Sequence, residues 1–132
     1  LVDRVKNVLK ERYRRPRPFL TYKDLKPCLP LESSFSFPSG HSTWYAAAGL
    51  LLADLLPQRR QRLLSMGQQG GYARAYCQVH YPSDVLASER LARAMSKDIV
   101  ASAQWQAFRR QVAAELPALL QPPPGGLPLL SH

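Results

Sequence analysis

The placement of proline constrains this chain more than any other feature. Of 12 prolines, five fall within residues 16–38 and five within 117–128, leaving only Pro57 and Pro82 elsewhere. Each proline lacks an amide hydrogen and disfavours helical geometry in the residue before it, so helices stop or start there. The stretches between the prolines carry helical patterns. Leu1, Val2, Val5, Val8 and Leu9 recur at helical spacing, which predicts an amphipathic helix over 2–14 that Pro16 and Pro18 terminate. Residues 15–38 read as a loop, with Pro27 and Pro30 flanking Cys28. Ser39 is placed to cap a helix over 41–56, rich in Ala and Leu and closed by Pro57. A further helical segment over 58–76 contains Gly67, Gly70 and Gly71, each costing about 1 kcal/mol against Ala, so its middle is the weakest part of the reading. From Ser83 to about Ala101 the pattern is helical again, and Ser102 is placed to cap a last helix reaching Glu115. No strand pattern or internal repeat is present. The expectation is an all-α catalytic domain over 1–116, followed by a flexible Pro/Gly-rich tail over 117–132.

Composition narrows the function. A chain of 132 residues, 45% hydrophobic and 20% charged, suits one domain with a modest core. Eighteen Lys and Arg against nine Asp and Glu give a formal charge of +9, which favours anionic partners. Nucleic acid is not expected, since there is no zinc-finger spacing, aromatic RNA-binding strand or long basic helix face. The basic residues gather at Arg12–Arg17, Arg59–Arg62 and Arg109–Arg110, and the latter two groups read as solvated surface. Stable membrane insertion is not expected either: the longest apolar run, Trp44 to Ala53, is far short of the roughly 20 residues a span needs. The chain begins at Leu1, already inside a helical pattern and without a signal-peptide pattern, so upstream residues are expected to precede it. Cys28 and Cys77 lack CxxC spacing, which leaves one disulfide or two reduced thiols as equal readings.

Three blocks carry the chemistry. In the first, Lys10 lies near a helix end and Arg17 just beyond it, which alone is what a basic helix C-terminus looks like. The second, Pro38-Ser39-Gly40-His41, opens an apolar helix whose first amides are unpaired donors suited to a phosphate oxygen. A simple Ser-capped helix would account for it, except for the titratable His on the first turn. The third is Arg74, His80 and Asp84, separated by five and three residues. If Pro82 and Ser83 start a helix, Asp84 can fold back to the His80 ring, fix its tautomer and leave the other nitrogen as a nucleophile. A His–Asp pair that merely holds a loop is the plain alternative; a zinc set is poorly supported by two histidines and these acids.

Together, in this order, the blocks resemble the type 2 phosphatidic acid phosphatase superfamily, whose signature is Lys-x6-Arg-Pro, Pro-Ser-Gly-His and Ser-Arg-x5-His-x3-Asp. The phrases Arg17-Pro18-Phe19, Phe37-Pro38-Ser39-Gly40-His41-Ser42 and Cys77-Gln-Val-His80-Tyr-Pro-Ser-Asp84-Val85 are closest to bacterial class A non-specific acid phosphatases. The resemblance covers about residues 1–116. It departs at Ala73, where the signature has Ser, and it implies further helices ahead of Lys10 that this sequence does not contain. It implies a compact helical bundle of the acid phosphatase/vanadium haloperoxidase type. It also implies a phosphomonoester hydrolase without cofactor or metal, in which His80 is the nucleophile, His41 the proton donor and Asp84 the orienting carboxylate. Lys10, Arg17, Arg74, Ser39 and the Gly40 amide would bind the phosphoryl oxygens. His80 would be neutral and His41 protonated, so opposite environments are expected for the two rings, with a mildly acidic optimum. Cys28 and Cys77, each near a catalytic block, are expected to pair in a disulfide, with a periplasmic or secreted setting. The partners expected are a small phosphorylated substrate and, as one option, a second copy of the chain in a homodimer. The alternatives are a vanadate-dependent haloperoxidase, a membrane-lipid phosphatase and an inactive phosphate-binding module.

Overall fold

The computed structural model describes residues 1–121; most of the proline- and glycine-rich tail lies outside the described residues. The described residues form helices joined by loops, with no strand among them. Helix α1 spans Val2–Tyr13 and ends where Arg14 turns left-handed (φ 45°), its amide reaching back to the Lys10 carbonyl. A single helical turn, α2 (Pro18–Thr21), interrupts the segment that reads as loop from sequence, with Pro18 in the first-turn position that tolerates a missing amide. Irregular backbone then runs to Ser39, which caps α3 (Gly40–Leu55) by accepting the Ser42 amide. A 3-10 turn at Pro57–Arg59 leads into α4 (Arg60–Tyr76). Helix α5 (Pro82–Ala101) starts at Pro82, and α6 (Ala103–Val112) is capped by Ser102, shorter than the expected reach to Glu115. A second 3-10 turn covers Leu116–Leu120, and Arg59 donates to the Leu120 carbonyl at 3.1 Å, so ordered backbone passes residue 116.

The centre of the molecule is α3, which packs against both α4 and α5. Small residues set the α3–α4 distance. A Cβ on Gly67 would lie 2.8 Å from the Tyr45 carbonyl oxygen, and one on Gly49 would lie 2.8 Å from that of Leu63. Gly67 of α4 and Gly49 of α3 thus allow a reciprocal close approach, and α4 runs unbroken through the region its glycines mark as weak.

The apolar core is small: Ala47, Ala53, Leu56, Val79, Val85, Ala92 and Met95. The two largest fully buried side chains are instead Arg17 and His80. Burying a guanidinium and an imidazole is costly unless each is fully paired, so the polar centre must be an organised network. Cys28 and Cys77 are joined by a disulfide, and the Cys28 amide donates to the Cys77 carbonyl at 3.3 Å. This cross-link closes a loop of 49 residues and ties the irregular segment to the end of α4, a constraint worth about 2–4 kcal/mol. No described helix is long and apolar enough to cross a membrane.

Candidate active site

The three blocks arrive from different directions. The end of α1 brings Lys10, the turn before α2 brings Arg17, the start of α3 brings Gly40 and His41, the last turn of α4 brings Arg74, and the α4–α5 connection brings His80. They meet at one end of the bundle, beneath an open cleft whose walls include Lys6, Lys10, Glu32, Gly40, His41 and Trp44.

His80 is 2% exposed. Its Nε2 lies 2.8 Å from Arg17 Nη1, which can only donate, so Nε2 holds a lone pair and Nδ1 carries the proton. On the Nδ1 side, Asp84 Oδ2 lies at 3.5 Å and Ser36 Oγ at 3.4 Å. Both distances are longer than an ordinary hydrogen bond. Asp84 has closer partners: Ser36 Oγ at 2.6 Å, Arg15 Nη1 at 2.7 Å and the Tyr81 amide at 2.9 Å. The last is a helix-start interaction, in which a carboxylate three residues into α5 accepts from the capping residue. Arg15 is itself held, with its guanidinium 3.8 Å above the Tyr81 ring and Nη1 donating to Ser83 at 2.8 Å.

Burial pushes the Asp84 carboxyl up, but His80, Ser36, the Tyr81 amide and Arg15 together hold it below the usual carboxylate range. For His80, burial is the largest effect and, with the charges of Arg17 and Lys10, it outweighs the opposing pull of Asp84 and lowers the pKa. A neutral imidazole with its Nε2 lone pair turned toward the guanidinium is the result.

The cations are as deeply set. Arg17 is 1% exposed and its five N–H groups are all engaged: Nε with the Ser34 carbonyl, Nη1 with the Val79 carbonyl and His80, Nη2 with Glu32 and Ser34 Oγ. Arg74 is also buried; its Nη2 meets Glu32 Oε1 at 2.5 Å, while its buried Nε has no hydrogen-bond partner among the described residues. Lys10 Nζ donates to the Phe35 carbonyl, and burial, aided by Arg17 and Lys6, lowers its pKa to about 8.

His41 differs. Its side chain is 54% exposed, and its nearest charged partner is Glu32 Oε1, 3.7 Å from Nδ1. Burial, Arg74, Arg17 and Lys6 lower its pKa, with Glu32 opposing them. The two rings differ sharply in burial, yet the expected separation of their pKa values is not found: both shifts run downward in the substrate-free chain. Burial is the chief cause in each ring, and the positive charge of Arg17 adds to both.

Gly40 lines the cleft at the start of α3. Ser39 is fully buried and its Oγ accepts from the Ser42 hydroxyl at 2.8 Å, so in this geometry it serves the cap. Three neighbours of the site carried no signal in the sequence: Ser36, Arg15 and Glu32. Glu32 bridges Arg17 (2.9 Å) and Arg74, and although its burial favours the neutral acid, those charges and His41 hold it ionised. Among the described residues, no three His, Cys, Asp or Glu side chains cluster as a metal-binding set.

Comparison with known proteins follows the same lines. Residues 1–108 match the PAP2 superfamily. The chain is 34% identical over 87 residues to the non-specific acid phosphatase of Providencia stuartii, covering 63% of this chain and 35% of that protein. It is 35% identical over 81 residues to the non-specific acid phosphatase of Salmonella typhimurium (58% and 32% covered) and 36% identical over 90 residues to the acid phosphatase of Zymomonas mobilis (63% and 33% covered). The chain thus spans about a third of the length of these curated relatives. Among solved structures it is similar to a transmembrane PAP2-type phosphatidylglycerolphosphate phosphatase from Bacillus subtilis. That likeness has a TM-score of 0.61 and 27% identity, and covers 84% of this chain and 55% of the other.

Proposed function

This chain belongs to the PAP2 superfamily, and from that premise we propose that it hydrolyses phosphate monoesters through a phosphohistidine on His80, without a metal ion. The observation that carries the reading is the contact between Arg17 and His80 Nε2 at 2.8 Å, which puts a cation and an unprotonated nucleophile at one point. Phosphoryl transfer requires little more of a protein than positioning and charge stabilisation. Lys10, Arg17 and Arg74 supply the positive charge, and the Gly40 amide and Ser39 hydroxyl are further donors to the phosphoryl oxygens. Arginine suits the task because its planar fork matches two oxygens at once.

In the first step a phosphoryl oxygen draws Arg17 Nη1 off the His80 Nε2 lone pair, and Nε2 attacks phosphorus. A P–N bond forms, the bond to the ester oxygen breaks, and His41 passes its proton to the departing alkoxide. Asp84 balances the charge that grows on the His80 ring. In the second step His41, now neutral, takes a proton from water; the hydroxide attacks phosphorus, the P–N bond breaks and His80 is regenerated. Both histidines have lowered pKa values in the substrate-free chain, so the proton on His41 depends on substrate. A phosphoryl dianion in the cradle offsets the arginine charges that depress that ring. A small soluble phosphomonoester is the proposed substrate. The disulfide supports an oxidising setting, periplasmic or secreted.

The test is hydrolysis of p-nitrophenyl phosphate by the full chain in the presence of EDTA, with and without orthovanadate. Turnover is expected to persist under chelation and to stop with vanadate. Activity lost in EDTA and restored by zinc or magnesium would overturn the metal-free mechanism.

A further inference from the structure

Glu32 has no place in the mechanism above, yet it touches more of the machinery than any residue that does. Its two oxygens meet Arg17 Nη2 at 2.9 Å and Arg74 Nη2 at 2.5 Å, and its Oε1 lies 3.7 Å from His41 Nδ1. One carboxylate therefore spans two phosphate-binding arginines and the proton donor, which come from three separate parts of the chain.

Resting on the phosphatase reading, we propose that Glu32 is an internal stand-in for the phosphoryl group, which substrate must displace from the arginines before it can bind. Donor accounting drives the inference. All five Arg17 N–H groups are engaged, so a phosphoryl oxygen can reach Arg17 only if an existing acceptor leaves. The Ser34 and Val79 carbonyls are backbone, and although His80 must turn its Nε2 lone pair from Nη1 to attack, the Nη2 edge of Arg17 stays closed while Glu32 holds it. Of the side-chain acceptors, Glu32 is the charged one, and a second anion in the same cradle would repel it.

Glu32 is also free to go. Its side chain is 35% exposed and faces the cleft, whereas Arg17 and Arg74 are buried. It lies on backbone without regular structure, between anchors at the Cys28 amide, bonded to the Cys77 carbonyl, and the Ser36 amide, bonded to the Arg15 carbonyl. A segment fixed at both ends can release one side chain without disturbing the helices that carry the site. In the resting chain the carboxylate keeps two buried guanidiniums paired, which would otherwise be costly.

The experiment is calorimetric titration of inorganic phosphate into the full chain and into Glu32→Gln at equal ionic strength. With the competing charge removed, the variant is expected to bind phosphate about tenfold more tightly, the scale of one partly buried charge pair. The KM for p-nitrophenyl phosphate should fall in parallel. Unchanged or weaker binding by a variant that melts like the wild type would overturn the proposal and make Glu32 a fixed organiser of the arginines. A crystal structure of the wild-type chain with inorganic phosphate bound tests the same idea without a substitution. The Glu32 carboxylate should lie out of hydrogen-bond reach of both guanidiniums with phosphate in its place, and a carboxylate that still bridges them contradicts displacement. If the wild-type chain hydrolyses p-nitrophenyl phosphate while these results fail, only this proposal falls. If it neither binds phosphate nor hydrolyses the ester, the phosphatase reading falls and this proposal with it.

Discussion

The two histidines of the site occupy opposite kinds of surroundings. His80 is 2% exposed, touched on one nitrogen by Arg17 and flanked on the other by Asp84 and Ser36. The Asp84 behind it is fixed in turn by Ser36, Arg15 and the Tyr81 amide. His41 sits half in solvent on the first turn of α3, with a single carboxylate 3.7 Å away. A group that must form a bond to phosphorus needs a fixed angle and distance, because small misplacements cost large factors in rate. A group that gives a proton to a departing alkoxide and then takes one from water needs reach and access instead. The proposed division of roles follows the division of burial.

Substitution of the histidines is the harshest way to break that comparison. His80→Ala removes the nucleophile, and every phosphomonoester should lose activity by at least about 10⁴-fold. His41→Ala should discriminate. With an alkyl phosphate, whose alkoxide leaves poorly, the loss should be about 10²–10⁴-fold, while p-nitrophenyl phosphate should suffer far less in the first step. Steady-state and single-turnover rates on the two esters check this, and equal losses by both variants on both esters would erase the distinction.

A gentler probe uses Lys10, which lies on the buried side with His80. Its pKa of about 8 is lowered from 10.5, so the free chain loses this charge as pH rises through about 8. Phosphate recognition should weaken above that point, with kcat/KM falling by about tenfold per pH unit on that limb. Lys10→Arg should push the limb upward. The linkage runs the other way for folding: between about 8 and 10.5 the unfolded chain holds the proton more tightly, so that part of the stability rises with pH. A kcat/KM profile that keeps its limb in Lys10→Arg would assign it to another group.

Sequence and structure agree best where information is local. Proline positions and apolar spacing locate the five longer helices to within a few residues, because both act through neighbours along the chain. The one-turn helix at Pro18–Thr21 is too short to carry a period. The glycines of α4 read as weakness because their benefit, close approach of Gly67 to the α3 backbone and of Gly70 to the Tyr45 ring, lies on another helix. The signature residues are readable by their spacing, but the groups that hold them are not. Arg15 and Asp84 are 69 positions apart, and Glu32 reaches Arg74 across 42. Nothing in the run from Arg12 to Arg17 shows that Arg15 braces a carboxylate, Arg17 fills the core and Arg14 stays near the surface. Long-range pairing of this kind is settled by the fold, and Glu32 lies in a loop with no periodic pattern to mark it.

The account rests on a covalent bond between phosphorus and His80. His41→Ala turning over p-nitrophenyl phosphate should form that bond and break it slowly, since His41 is needed again to activate water. Acid quenching followed by peptide mass spectrometry should find about 80 Da, the mass of a trapped phosphoryl group, on the peptide containing His80. A phosphoryl adduct on any other residue, or turnover by a His80→Ala chain at the wild-type rate, would contradict it.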